Sequence, residues 1–406
     1  MLPHRQSHSQ TANRNVIRDD KHAVAVATAL SEQYALEARQ RDEQRIPPDV
    51  EMSLFAKSGL LGCTLPAEYG GADIAVSTLV DIVRLISIAD PSIGQIPVTH
   101  FGAINTLKTL GAEPQKRRYF ERVMAGERFG SATSERDTRH ARDIKTTLQA
   151  KGDSYLLNGT KYYCTGAQFS DWLQVLALDE EGHLARVFVQ THSEGVTLHN
   201  DWTGFGQRVT GSGSVSFDQV VLEASQILPA HTLYDDQLSL QGAFVQILHA
   251  AIDAGIAEAA LKDTQSFIKS RSRPWIDSGK ETAGEDPYIV SAIGLLSVRY
   301  KAARALLSRA AEKLDALTTQ RVTSKMAADI SVAVAEARIL TTQIALDASQ
   351  KLFELAGTSS ALGHLGFDRH WRNARTHTLH DPIRWKYKIV GNYWLNNEYP
   401  QRHSFI

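Results

Sequence analysis

Hydrophobic and polar positions recur with two different periods along the chain, and the changes of period divide it in three. From Asp20 to Ala38, Ala, Val and Leu return every three or four residues, which predicts an amphipathic helix. Ser77 to Ala89 (STLVDIVRLISIA) repeats that period, and Ile104 to Met124 repeats it more weakly. Pro66 and the Gly70-Gly71 pair place a loop between the first two. From about residue 128 to 232 the period shortens. Runs rich in Tyr, Val, Phe and Thr alternate with turn signals at Lys151-Gly152-Asp153, Asn158-Gly159, Glu181-Gly182 and Thr210 to Ser214, which predicts the short strands of a small barrel or sandwich. Within them, SYLLNGTKYYC reads as a hairpin with Asn158-Gly159 at its tight turn. The helical period then returns in three longer segments, Leu238 to Ser270, Asp286 to Thr318 and Lys325 to Gly357, all rich in Ala, Leu and Ile. Each runs about 30 residues, or about 45 Å, and helices of matched length pack most simply as an antiparallel bundle. The expected fold is mainly α with a central β domain: an N-terminal helical domain (1–127), a middle β domain (128–234) and a C-terminal helical bundle (235–406).

Charge and cysteine usage narrow the function. The 406 residues carry 44 Lys plus Arg against 45 Asp plus Glu, a net charge of −1. So balanced a chain has no basic field for releasing counterions, and nucleic acid is not an expected partner. Cys63 and Cys164 are the only cysteines, too few for a disulfide framework or a four-thiolate zinc site, and they fit a reducing cytoplasmic setting. The start, MLPHRQSHSQTANRN, lacks the apolar core of a signal peptide. No unbroken apolar run reaches the roughly 18 residues of a membrane span, so no membrane association is expected. Ala-rich faces on the long helices leave room for a second subunit. Several cofactor signatures are missing. Gly204-Phe-Gly206 approaches a dinucleotide fingerprint but has Val209 where the third glycine belongs, and there is no P-loop lysine, His-Glu-x-x-His or G-x-S-x-G.

Several segments carry more than packing: LPAEYGG (Leu65 to Gly71) with IADPSIGQ after it, GSATSERD (Gly130 to Asp137), NGTKYYCTGAQFSDW (Asn158 to Trp172), DWTGFGQRVTGSGSVSFDQVVL (Asp201 to Leu222) and WRNARTHTLHDPIRWK (Trp371 to Lys386). In this order and spacing they resemble the flavin-dependent acyl-CoA dehydrogenase superfamily over nearly the whole chain. The resemblance implies the same order of helical domain, β domain and four-helix bundle. It departs from the dehydrogenases at two places. The segment that carries their catalytic glutamate aligns with Arg372-Asn373-Ala374 and His380-Asp381-Pro382, which puts the shorter Asp381 in its place. Asp253 and Glu258 lie near the alternative base position, on the bundle's first helix, without a convincing match. The glycine-rich segment for the adenylate of FAD is reduced to Glu354 and Gly357-Thr358-Ser359-Ser360, which favours FMN.

These departures, with RTHTLHDP and SRPW, resemble the superfamily's monooxygenase branch, of the dibenzothiophene and dialkylsulfone monooxygenase kind. That branch implies a two-component enzyme. Reduced FMN comes from a separate flavin reductase, molecular oxygen adds at flavin C4a to form a hydroperoxide, and oxygen passes to a small organic substrate, an organosulfur compound by the habit of the branch. It also implies a homotetramer. The resemblance makes His380 the proton donor, supported by Asp381, with His100 on the opposite wall and Thr165 at flavin N5. Thr133 and Ser134 join Thr165 as flavin contacts, Trp202 stacks near the isoalloxazine, and Arg271 or Arg273 pairs with the phosphate, for which an arginine fork is suited. The alternative is an FAD-dependent acyl-CoA dehydrogenase with Asp381 as base. Plainer readings stand beside each residue: a capping pair for His380-Asp381, a buried hydrogen-bonded histidine for His100, strand and turn residues for Thr133, Ser134 and Thr165, core for Trp202, a solvated helix end for the arginines. Arg384 and Lys386 read as interface or surface charges. No metal is expected, since His377, His380 and Asp381 lack a clear further ligand.

Overall fold

The structure, a computed structural model, describes residues 15–233, 239–318 and 320–406. The polar start of the chain up to residue 14 and Leu238 lie outside them. Six helices come first: α1 (Asp20–Ala35), α2 (Ala38–Gln44), α3 (Asp49–Lys57), α4 (Val76–Ala89), α5 (Pro91–Leu110) and α6 (Glu113–Met124). Their starts are written in the sequence. Asp19 caps α1 by accepting from the His22 amide at 2.7 Å, and Asp90 caps α5 ahead of Pro91 at the first helical position. The helical stretch read as Ile104 to Met124 is two helices. Gly111 and Ala112 leave helical geometry and Pro114 opens α6, so the period continues across a break.

Eight strands follow: β1 (Phe129–Ala132), β2 (Thr147–Lys151), β3 (Ser154–Lys161), β4 (Trp172–Leu178), β5 (Leu184–Gln190), β6 (Val196–Leu198), β7 (Val215–Glu223) and β8 (Ile227–Leu228). They form one sheet in the order β6-β7-β3-β2-β4-β5-β8, with β1 parallel to β4. The hairpin expected at Asn158-Gly159 is not there. Lys151 pairs with Ser154, so the tight turn is Gly152-Asp153, and Asn158-Gly159 sits inside β3 at a bulge against β7. A Cβ on Gly159 would come within 2.5 Å of Thr146 Oγ1, so this glycine serves a close approach and not a turn.

The bundle comprises α7 (Gln241–Ser270), α8 (Pro287–Leu317), α9 (Ser324–Ala356), α10 (Asp368–His377) and α11 (Ile383–Asn396). Helix α7 is its axis, packed against α4, α5, α8, α9 and α10. Its length and apolarity would suit a membrane span, but most of its surface is buried inside the protein. Small residues set the spacing: a Cβ on Gly255 would lie 2.6 Å from Ser87 Cβ on α4. The loop before β7 reaches across to the bundle, where Gly206 lies against the Arg372 carbonyl of α10 and the Gln207 amide donates to Asn373 Oδ1 at 2.7 Å. That seam brings one rim of the sheet to the end of α10, where the histidines are.

Candidate active site

Polar residues on apolar helices build the site. Gln246, His249 and Asp253 recur at helical spacing on α7, all buried in a helix otherwise dominated by Ala, Ile and Leu. Arg338 and Thr342 face them from α9, and His377, His380, Asp381 and Lys386 come from the end of α10 and the turn into α11. Asp253 is the anchor. Its Oδ2 accepts from Arg338 Nη1 at 2.6 Å and Thr342 Oγ1 at 3.0 Å, while its Oδ1 lies 2.5 Å from His377 Nδ1. His377 Nε2 is 3.0 Å from His249 Nδ1, and the His249 ring lies over that of His380 with centroids 4.0 Å apart. His380 Nδ1 is 3.1 Å from Asp381 Oδ1. Asp381 is clamped in turn by Arg338 Nη2 at 3.5 Å and Lys386 Nζ at 3.3 Å.

The electrostatics sort these groups. Burial works to raise both carboxyls, but at Asp253 the Arg338 charge and His377 outweigh it. At Asp381, Arg338, the His380 hydrogen bond and Lys386 do the same and hold the group far below the usual carboxylate range. Burial lowers His249 first, and the neighbouring His380, His377 and Arg338 lower it further. His377 is also lowered by burial, against the pull of Asp253. Lys386 is not a surface charge: it is buried, and burial lowers its pKa against the opposing effect of Asp381. Arg384 is exposed.

The sheet contributes hydroxyls. Thr165 Oγ1 lies 2.8 Å from Ser212 Oγ, which lies 2.7 Å from Thr210 Oγ1. The Thr165 carbonyl accepts from the Ser131 amide at 3.1 Å, and Ser134 bridges to Tyr162, so Thr133, Ser134 and Thr165 gather at one rim. Trp202 is engaged in its own loop, donating from Nε1 to the Gln207 carbonyl at 2.8 Å and lying flat against Gly204.

Three expected residues have other surroundings. His100 is buried with both ring nitrogens used: Nδ1 accepts from the Phe129 amide at 3.1 Å and Nε2 donates to the Leu61 carbonyl at 3.0 Å. Through these two bonds it braces α5 against β1. Arg271 and Arg273 are exposed at the far end of α7. Arg271 stands about 33 Å along that helix from His249, at about 1.5 Å per residue. A flavin mononucleotide beside His380 cannot span that distance, so these arginines do not reach the phosphate of a flavin in their own chain.

Does the rest fit FMN? Two buried amides answer. Gln246, one turn before His249, and Gln207 at the sheet–bundle seam have both side-chain polar atoms buried and without a hydrogen-bond partner. Thr376 Oγ1 and Arg375 Nε on α10 are also unpartnered. An orphaned buried polar group costs about 1–3 kcal/mol, so a set of them beside one cluster marks where a polar ligand belongs. Amides that donate and accept, with the Thr165–Ser212 hydroxyls, match the alternating donors and acceptors of a flavin's pyrimidine edge. The set of converging metal-type ligands among the described residues, Asp179, Glu181 and His183, lies apart from the cluster, on the β4–β5 turn, where Asp179 Oδ1 already accepts two backbone amides.

Comparison with known proteins gives the chain's family. Residues 20–127, 131–220 and 247–385 match the N-terminal, middle and C-terminal domains of acyl-CoA dehydrogenase. The chain belongs to the acyl-CoA dehydrogenase family. It is 31% identical over 395 residues to a dibenzothiophene monooxygenase of Rhodococcus qingshengii, covering 94% of this chain and 95% of that one. It is 32% identical over 388 residues to a probable FMNH2-dependent monooxygenase of Pseudomonas putida, covering 93% and 96%. Among solved structures, the FMN-bound dibenzothiophene monooxygenase of Paenibacillus sp. A11-2 superposes with a TM-score of 0.91 at 30% identity, over 95% of this chain and 100% of that one. Within the family, the chain sits in the branch of flavin-dependent monooxygenases.

His100 gives a pH test independent of catalysis. Burial lowers its pKa from 6.5 to about 4, against the Leu61 hydrogen bond. A base depressed on folding leaves the unfolded state to take up the proton first, so its contribution is complete above pH 6.5 and lost as pH falls toward 4. Urea unfolding across that window is expected to show a loss, in wild type and absent from His100→Gln, of up to about 3 kcal/mol.

Proposed function

We propose that the protein oxygenates a small organosulfur compound, taking reduced FMN from a separate reductase and oxygen from solution. The observation that carries this reading against a dehydrogenase is the state of Asp381. A base that removes an α-proton works best with a pKa near the operating pH. Asp381 is instead held ionised by Arg338, Lys386 and His380, and its Oδ1 is committed to His380. It can orient an imidazole but is a poor proton acceptor. The organosulfur class is supported by relatives described as acting on dibenzothiophene and methanesulfinate.

FMN, when bound and reduced, supplies the electrons that activate oxygen. Gln207, Gln246, Thr165 and Ser212 would hold its polar edge, with Thr133 and Ser134 on the same rim. His380 turns a third of its side chain outward, keeps Nε2 without a partner among the described residues, and is fixed by Asp381 through Nδ1. That is the placement of a proton donor. Under anaerobic conditions no acyl-CoA is expected to bleach the oxidised flavin. Bleaching would favour the dehydrogenase.

The same reading extends to a homotetrameric assembly. Tyr288, Val290, Leu295 and Val298 on α8, and Trp385, Trp394 and Leu395 on α11, are exposed. Exposed apolar groups on this scale suit contacts between copies, and a homotetramer supports the reading that Arg271 and Arg273 serve the FMN phosphate of a neighbouring copy. Replacing both by alanine is expected to weaken FMN about 10- to 100-fold while leaving riboflavin, which lacks the phosphate, unchanged. Equal effects on both ligands in fluorescence titrations would contradict the assignment, as would a monomeric mass by light scattering. FAD is expected to bind more weakly than FMN.

A further inference from the structure

The protons of His377 and His249 can be placed atom by atom. Asp253 is ionised, and its Oδ1 can only accept, so His377 carries a proton on Nδ1. His377 is buried and uncharged, which leaves its Nε2 bare. His249 Nδ1, 3.0 Å from that bare nitrogen, is therefore the donor between them. His249 is uncharged too, so its own Nε2 is bare, and no described residue bonds to it. His380 likewise turns its Nδ1 to a carboxylate, that of Asp381. Two imidazoles thus lie with ring centres 4.0 Å apart and planes tilted by 32°, each anchored through Nδ1 and each with Nε2 unbonded among the described residues.

We propose that His249 is a second functional imidazole of this site, a proton acceptor whose tautomer is set by Asp253 acting through His377. The proposal rests on the monooxygenase reading, because that reaction needs both an acceptor and a donor. Reduced FMN, oxygen and substrate yield oxidised FMN, oxygenated substrate and water. Two electrons come from the flavin and two from the substrate. One oxygen atom stays in the product, and the other leaves as water with the two hydrogens of the reduced flavin. Protons therefore leave one end of the chemistry and arrive at the other.

This close pair divides that work. His249 accepts at Nε2 while its Nδ1 proton moves to His377 Nε2, and the imidazolium so formed at His377 keeps its Nδ1 proton and is held by the Asp253 carboxylate. Positive charge never rests on His249 alone, which matters because burial, His380, His377 and Arg338 all disfavour it there and Asp381 opposes them. His380 remains the donor. In this scheme His377 and Asp253 are positioning residues that act through His249. A purely structural contact between α7 and α10 would not need this order of donors and acceptors, since apolar packing serves as well as buried ionic groups.

Neutron diffraction from deuterium-exchanged crystals of the flavin-free protein at neutral pD reads the relay without turnover. Deuterons are expected on Nδ1 of both His249 and His377, with both Nε2 atoms bare. A deuteron on His249 Nε2 would overturn the proposal. In solution, His377→Gln offers an amide oxygen to His249 Nδ1 but cannot pass a proton on. It should bind FMN as wild type does and lose product formation about 100-fold, with peroxide in its place. Asp253→Asn should do the same and shift the pH optimum. Wild-type product formation in folded, FMN-binding His377→Gln would show that the contact only packs helices. Failure of the wild-type protein to oxygenate any substrate would strike the monooxygenase reading instead, and the deuteron positions would still decide the relay.

Discussion

His380→Ala is expected to bind reduced FMN and consume oxygen like the wild-type protein, yet release hydrogen peroxide where wild type releases oxygenated product. His380 is the imidazole that combines outward exposure, a carboxylate anchor and an unbonded Nε2. Its loss leaves Asp381, His249 and the flavin contacts in place, so the first half of the reaction survives. Proton transfer by a positioned side chain contributes roughly 100- to 10,000-fold, so the ratio of product to oxygen consumed should fall sharply. Asp381→Asn should show a milder form, because an amide still orients the ring but no longer supports its charge. Oxygen-electrode traces with peroxide and product assays check both. Full coupling in His380→Ala would remove it from the mechanism.

Arg338→Met should be the most destabilising single change at the site. One guanidinium is shared by two buried carboxylates, reaching Asp253 at 2.6 Å and Asp381 at 3.5 Å. Methionine keeps much of the stem's volume but strands both anions, and removing one partner of a buried pair costs about 3–5 kcal/mol. Lys386 still faces Asp381, whereas Asp253 keeps only Thr342 and His377, so the loss falls mainly on the α7–α9 contact. Both carboxyls are lowered on folding, so their contribution is present above about pH 3.9, the ordinary aspartate value, and is lost as pH falls toward their folded values. The deficit of the variant should therefore be full at neutral pH and narrow in acid. Denaturant unfolding at several pH values would show it, and a deficit independent of pH would point to packing alone.

The bundle was legible because its helices are long and strongly periodic. Asp286 to Thr318 and Lys325 to Gly357 differ from α8 and α9 by a residue at each end. The failures were local. Asn158-Gly159 has the chemistry of a hairpin turn, but only the neighbouring Thr146 reveals that this glycine is there for a close approach. Glycine demand looks the same in both settings. At the site, His380 and Asp381 stood out because they lie together in one motif. Their partners did not, since Asp253, Arg338 and Lys386 come from three helices and meet only in the folded chain. Lys386 sits in a Trp-Lys-Tyr-Lys run that looks like a solvated face, and only the folded chain shows the Asp381 carboxylate and the Phe405 carbonyl that accompany its burial. One signal was available. Gln246, His249 and Asp253 form a polar stripe on an apolar helix, and three buried polar groups at helical spacing call for partners.

The central claim is that this site passes an oxygen atom to its substrate and does not take hydrogen from it. The most direct test mixes the protein, loaded with reduced FMN, with 18O2 and a panel of sulfides, sulfones and sulfinates that includes dibenzothiophene and methanesulfinate. Mass spectrometry then follows the label. The account predicts a product heavier by one 18O atom, with the second atom in water. Product without label, or dehydrogenated acyl-CoA as the only turnover the protein supports, would contradict it.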